Sequence, residues 1–407
     1  MQKTPKGLRL HIGIFGRRNV GKSSLLNALT SQSISIVSDT PGTTTDPVEK
    51  AMELLPLGPV VFIDTAGIDD LGALGEMRIK KTMEVFGRTD LGILVTEGNV
   101  WGEFEEKIKN IFNEQNIPFL VVLNKKDIIP PSKELELSLK EQSIPFISLS
   151  AINQQGIDEL KELLLQTTPK EWFNPPTLVG DLLPAGELAI LVVPIDLQAP
   201  KGRLILPQVQ TIRDILDNDA YCMVVKEREL RDALERLNRK PKLVICDSQC
   251  VLKTVADTPK DVQVTTFSIV MARFKGDLPT FAKGLKNIEN LRPGDKVLIA
   301  EACTHHPLAD DIGRVKIPRW LQQYIGGKIN FDVYAGRNFP ENLEQYKLII
   351  HCAACTLNRK EMLTRIYKAK QKNVPITNYG LTISFLQGVI NRCLEPFPYA
   401  KLCFEES

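Results

Sequence analysis

Short apolar runs alternate with amphipathic stretches along almost the whole chain. Runs at 10–15, 60–64, 91–96, 119–124 and 145–148 read as strands, and 23–30 and 103–115 read as helices between them. That order predicts a mostly parallel sheet covered by helices. A Pro-rich stretch at 167–180 reads as a linker. The alternation then recurs twice. Strands are predicted at 188–193, 220–225, 242–246 and 262–266, with helices at 207–216, 229–238 and within 249–256. Further strands are predicted at 296–300, 330–335, 347–350 and 374–378, with helices at 314–325, 359–370 and 382–393. The fold class is therefore α/β: three consecutive domains, 1–170, 171–270 and 271–407, each a mostly parallel sheet flanked by helices.

Composition narrows the class. The chain of 407 residues is 43% hydrophobic and 25% charged, which excludes a disordered, collagenous or fibrous protein. Its 51 basic and 49 acidic side chains leave a net charge of +2, which argues against wholesale nucleic-acid binding. No apolar stretch approaches the roughly 18–20 residues that cross a bilayer. The opening MQKTPKGLRL enters a strand without a signal-peptide core. A soluble, cytoplasmic protein with no membrane and no nucleic-acid partner is expected. Eight cysteines are too few for a disulfide framework at this length. Three of them, Cys303, Cys352 and Cys355, lie beside His305, His306 and His351, three of only four histidines. That clustering suggests a metal site.

Gly16-Arg17-Arg18-Asn19-Val20-Gly21-Lys22-Ser23 fits G-x-x-x-x-G-K-[ST] between a predicted strand and a predicted helix. Its backbone N–H groups can cradle a β-phosphate, aided by the helix N-terminus. Lys22 then neutralises the β/γ oxygens and Ser23 holds Mg²⁺. Gly16, Asn19, Val20, Gly21, Lys22, Ser23 and Ser24 are the candidate phosphate residues. Four further elements follow in order. Asp64-Thr65-Ala66-Gly67 ends a strand, with Asp64 on the Mg²⁺ side and the Gly67 N–H facing the γ-phosphate. In Asn124-Lys125-Lys126-Asp127, the Asp127 carboxylate can accept from guanine N1–H and the exocyclic amine, a donor pair adenine lacks. Ser150-Ala151 can offer a main-chain N–H to O6. The segment 39–46 occupies the place of a switch loop. All five together specify a P-loop GTPase using GTP/GDP and Mg²⁺.

Cys303-Thr304-His305 follows one predicted strand and His351-Cys352-Ala353-Ala354-Cys355 another, where open parallel sheets build their sites. Asn358-x-x-Glu361 reads as a capping box, which places Cys355 just ahead of a helix N-terminus. On chemistry alone, three thiolates and a histidine suit tetrahedral zinc, and three thiolates equally suit an iron–sulfur cubane.

The first domain resembles the TrmE–Era group of bacterial GTPases. The resemblance makes Thr44 the switch threonine on Mg²⁺, with Thr43 and Thr45 as alternatives, and puts Asn19 where K⁺-activated members help bind K⁺. Ile68 stands where Ras-like enzymes carry glutamine. Lys22, Thr44, Gly67 and Glu76 are the candidate catalytic residues, Glu76 as a group that could orient the attacking water or as a plain surface carboxylate. The C-x-H…H-C-x-x-C pattern behind such a domain is similar to that of the [FeFe]-hydrogenase maturation GTPases, the HydF family. This resemblance implies a [4Fe–4S] cluster on Cys303, Cys352 and Cys355, with His305, His351, Glu405 or Glu406 as candidates for its fourth position. Cys403 is read as incidental and His306 receives no ligand role. It also implies a homodimer formed by the middle domain, two radical-SAM maturases and apo-[FeFe]-hydrogenase as partners, and a two-iron subcluster precursor as cargo. A different reading is an RNA- or ribosome-associated regulatory GTPase with a structural zinc in its C-terminal domain.

Overall fold

The computed structural model describes residues 4–31, 47–65, 81–195, 204–303 and 311–406. It divides into two compact units, 1–175 and 176–407, and the division falls inside the Pro-rich stretch. In the first unit β1 (Leu10–Phe15), β2 (Val48–Leu54), β3 (Gly58–Asp64), β4 (Leu91–Glu97), β5 (Phe119–Asn124) and β6 (Phe146–Ser148) form one sheet in the order β2-β3-β1-β4-β5-β6. Every pairing is parallel except β2 with β3. β1 is buried along its whole length, because helices cover both faces of the sheet; hence its run of apolar residues, interrupted only by His11. The register sets Ile14 beside Asp64, Phe15 beside Leu94 and Glu97 beside Asn124. The loops leaving β1, β3 and β5 therefore emerge on one edge.

The second unit holds two four-stranded parallel sheets. One contains β7 (Leu188–Val192), β8 (Tyr221–Val225), β9 (Leu243–Cys246) and β10 (Gln263–Thr266), in the order β10-β9-β7-β8. The other contains β11 (Lys296–Ala300), β12 (Asn330–Tyr334), β13 (Leu348–His351) and β14 (Ile376–Asn378), in the order β12-β11-β13-β14. A single apolar core runs through both. The helix Phe267–Lys275 joins them, packing on Leu206–Asp217 from the first sheet and on Arg359–Gln371 and Tyr379–Leu386 from the second.

The helix predicted at 382–393 is two helices, Tyr379–Leu386 and Ile390–Leu394, broken at Gly388, whose φ is +72°. The one predicted at 314–325 begins as a π-helical turn, Ile312–Lys316, before Ile317–Ile325. Among the described residues no helix is long and apolar enough to cross a membrane.

Candidate functional site

Residues 16–21 link β1 to the helix Lys22–Ser31. Gly16 and Gly21 have φ of +154° and +94°, and Asn19 has φ of +61°. A Cβ on Gly16 would lie 2.3 Å from the Val95 carbonyl oxygen, so the first glycine is required by sterics as well as by torsion. The buried Lys22 Nζ donates to the carbonyls of Gly16 (2.8 Å) and Arg17 (2.6 Å), which curls the loop around its own ammonium. Val20 is buried beneath the loop, and Ser24 is half-buried in the first helical turn.

Ser23 Oγ donates to Asp64 Oδ2 at 2.9 Å, so two groups far apart in sequence meet at the loop's end. Asp64 Oδ1 is buried with no hydrogen-bond partner among the described residues. A hydroxyl beside an orphaned carboxylate oxygen fits a hard divalent cation. Burial raises the Asp64 pKa, against the opposing pull of the Ser23 hydrogen bond and the Lys22 and Lys50 charges.

A clamp absent from the sequence reading fixes the loop from outside. Arg17 makes a bidentate pair with the fully buried Glu105, at 2.8 Å through both Nε and Nη2. Glu105 Oε2 also accepts the Gly102 N–H at 3.0 Å. A glutamate in the first turn of a helix is ordinary, so nothing in the spacing announced a charge pair with the phosphate loop.

On the base side, Asn124 does not face outward. Its Nδ2 donates to the Val20 carbonyl (2.9 Å) and its Oδ1 accepts the Ala151 N–H (3.1 Å), tying the phosphate loop to the 150–151 turn. Lys125, at φ +62°, pairs with Glu97 at 2.6 Å. Asp127 is exposed. Ser150 is buried, and its N–H donates to the Gln155 carbonyl at 3.1 Å. A contact from Ser150 or Ala151 to O6 therefore requires one of these bonds to be shared. Thr43, Thr44, Thr45, Gly67, Ile68 and Glu76 lie outside the described residues, as do His305 and His306.

In the second unit, Ala300 pairs with His351, which brings the ends of β11 and β13 side by side. Cys303 follows the first end, and Cys352 and Cys355 the second. The Cys352 N–H donates to the Ala300 carbonyl (2.9 Å), and Cys352 Sγ accepts the Ala302 N–H (3.0 Å). Ala354 takes the left-handed conformation, φ +52°, in the turn between the two cysteines. Asn358 Oδ1 accepts the Glu361 N–H (3.1 Å) and caps the helix Arg359–Gln371, as the capping-box spacing predicts.

Burial pushes the Cys303 thiol up to about 11 and the Cys352 thiol up to about 12, with Cys355 adding to both. Burial raises Cys355 too, while Lys275 pulls the other way. Thiols so placed ionise only against a compensating cation, and a metal cluster supplies one. Three thiols at adjacent strand ends, one already receiving a main-chain N–H, fit an iron–sulfur group in kind. Among the described residues, no three His, Cys, Asp or Glu side chains are grouped to hold a single metal ion.

His351 is placed otherwise than a ligand. It is fully buried, and its Nε2 lies 3.0 Å from Arg365 Nη1 while its Nδ1 lies 2.9 Å from the Cys352 carbonyl. Arginine can only donate, so Nε2 accepts and the ring proton sits on Nδ1. Burial first, and the Arg365 charge second, push its pKa down to about 3. Both ring nitrogens are occupied, which corrects the expectation that His351 offers a lone pair to metal. Glu405 and Glu406 are exposed at the end of the helix Pro398–Glu405, and Cys403 is half-buried within it.

Three family models match the chain. Residues 11–125 match "50S ribosome-binding GTPase", 178–276 match "Hydrogen maturase F dimerization domain", and 279–396 match "Hydrogen maturase F tetramerization domain". Among curated proteins, the chain is 36% identical over 176 residues to GTPase Der of Wolinella succinogenes, covering 41% of this chain and 37% of the relative. It is 37% identical over 162 residues to the tRNA modification GTPase MnmE of Flavobacterium johnsoniae, covering 38% and 34%. The chain thus spans little more than a third of the curated relatives it matches. Among solved structures, a variant of Aquifex aeolicus Era bound to GDP and aluminium fluoride aligns at 18% identity over 83% of this chain and 97% of its own, TM-score 0.34. The G domain of the T. maritima FeoB iron transporter aligns at 24% identity over 39% and 98%, TM-score 0.31.

Proposed function

The chain belongs to the hydrogen maturase F family of GTPases, and on that premise we propose that it is a GTP-hydrolysing scaffold which binds a [4Fe–4S] cluster, holds the two-iron subcluster precursor and transfers it to apo-[FeFe]-hydrogenase. The observation that carries the reading is the pairing of two strand-end sites in one chain. One is a phosphate loop with its Ser23–Asp64 cation seat; the other is the set of thiols Cys303, Cys352 and Cys355 at paired strand ends, inside the segment that matches the family's tetramerization domain.

In the first site Lys22 neutralises the β/γ oxygens, Ser23 and Asp64 hold Mg²⁺, and Asp127 selects guanine. Thr44 and Gly67 complete the γ-phosphate side, and K⁺ sits beside Asn19. In the second site the three cysteines each hold one iron. A cluster bound this way supplies an iron with an exchangeable fourth ligand, which suits cargo that must later leave. Hydrolysis acts as a switch on partner contacts with two radical-SAM maturases and the hydrogenase, not as assembly chemistry. Homodimerisation falls to residues 178–276, where β8 is an edge strand with Tyr221 and Val224 exposed. The compartment is the cytoplasm.

The test is anaerobic iron and sulfide analysis with EPR of the reduced protein, on wild type and Cys303→Ala. About four irons and four sulfides with a cubane signal, weakened in the variant, support the scaffold. Zinc without sulfide redirects the function to an RNA- or ribosome-associated regulatory GTPase with a structural zinc.

A further inference from the structure

Tyr379 opens the helix that follows β14, and its hydroxyl is buried with no hydrogen-bond partner among the described residues. Its backbone is well fixed. Asn378 Oδ1 accepts from the Gly380 N–H (2.8 Å) and the Ser268 hydroxyl (3.0 Å), so the start of the helix does not drift. Gly313 lies against the ring. A Cβ there would stand 2.1 Å from Tyr379 Oη and 2.8 Å from Glu301 Oε1, so both oxygens converge on one spot. Glu301 directly follows β11, two residues before Cys303, and its other oxygen is held by Arg314 at 2.8 and 3.2 Å.

Packing does not explain this hydroxyl. A buried donor left unmade costs stability, and phenylalanine would fill the same space without that cost. The groups that bear on it are those of the thiol pocket. β13 and β14 pair His351 with Asn378, so Cys352 and Tyr379 each follow one of two paired residues. A phenol keeps its proton at neutral pH and remains a donor. Sulfides and thiolates of a cluster are acceptors, and hydrogen bonds to them favour the more reduced state.

We propose that Tyr379 is a positioning residue of the metal centre: its O–H donates to the sulfur-bearing group held by Cys303 and Cys352 and so raises the reduction potential of that group. The inference rests on the cluster reading of the preceding subsection. It also assigns Gly313 a purpose, since any side chain there displaces the hydroxyl.

The test uses the full chain reconstituted anaerobically with iron and sulfide. Wild type, Tyr379→Phe and Gly313→Ala are poised at a fixed potential near the wild-type midpoint and read by EPR. Tyr379→Phe retains its iron and sulfide, and its ratio of reduced to oxidised cluster falls about 2- to 10-fold, the equivalent of one hydrogen bond. Gly313→Ala moves the same way. A cluster-loaded Tyr379→Phe with an unchanged ratio overturns the inference and leaves the scaffold reading intact. If Tyr379→Phe does not hold the cluster, Gly313→Ala decides by the same ratio. A wild type that takes up no iron and sulfide overturns both.

Discussion

The phosphate loop and the thiol pocket occupy equivalent places, beyond the carboxyl ends of parallel strands, yet they are assembled in opposite ways. The phosphate loop is nearly self-contained. Lys22 bonds the carbonyls of Gly16 and Arg17, and two glycines supply the torsions, so the binding surface is main chain from one short segment. The thiol site gathers Cys303 from one loop and Cys352 and Cys355 from another; Cys352 Sγ takes the Ala302 N–H from the first loop, and Tyr379, which bears on Cys303 and Cys352, comes from a third place in the chain. A site made of backbone is written as one contiguous motif. A site made of soft side chains depends on which strands the tertiary fold sets side by side.

The strongest way to break this comparison is Asp127→Asn. On the proposed reading of Asp127 it removes the acceptor pair for guanine and is expected to cut GTP affinity by about 10³-fold, partly recovered with xanthosine triphosphate. Iron and sulfide content should stay at the wild-type level, because the pocket belongs to the other unit. Nucleotide titration and iron analysis on the same preparation check this, and a variant that loses both sites would show that they are not built separately.

Arg17→Met probes the outer clamp. It strands the fully buried Glu105, and unfolding of the first unit should become easier by about 3 kcal/mol, followed in urea by Trp101 fluorescence. The combined Arg17→Met, Glu105→Met variant should recover most of that loss, since no buried charge is left alone. An equal loss in both would assign the effect to packing.

Arg365→Met sharpens the other half. It leaves His351 Nε2 without its donor, and an apo-protein loss of about 2 kcal/mol is expected on denaturation. A variant as stable as wild type would return His351 to the set of available ligands. The smallest effect concerns acid. Asp181 is partly buried, which raises its pKa, but its paired Arg273 outweighs this and holds the carboxyl below its usual range. A folded pKa below the unfolded one adds stability above about pH 4, lost as pH falls through the folded value. Because the pair is largely exposed, the gain should stay under about 1 kcal/mol, seen as a slightly shallower acid transition in Arg273→Gln.

Sequence pattern located thirteen of the fourteen strands among the described residues, because most are buried on both faces and read as compact apolar runs. It missed β2, the edge strand VEKAMEL, whose burial is mixed and whose apolar positions follow no clean alternation. It also missed the helices Phe267–Lys275 and Leu278–Leu285. The first is buried nearly all round between two sheets, so it lacks the polar face that marks a surface helix.

By itself, then, the sequence determined the α/β class and most of its strands, the phosphate loop, and the candidacy of Asp127 and the three cysteines, since each depends on residue type at short spacing. Only the tertiary structure decided that His351 is held by Arg365, that Arg17 is anchored by a buried Glu105, that Asn124 braces two loops, and that Cys352 Sγ takes the Ala302 N–H. The physical reason is common to all four. A hydrogen bond or buried charge takes its meaning from its partner, and those partners lie on other elements, at separations no local pattern records.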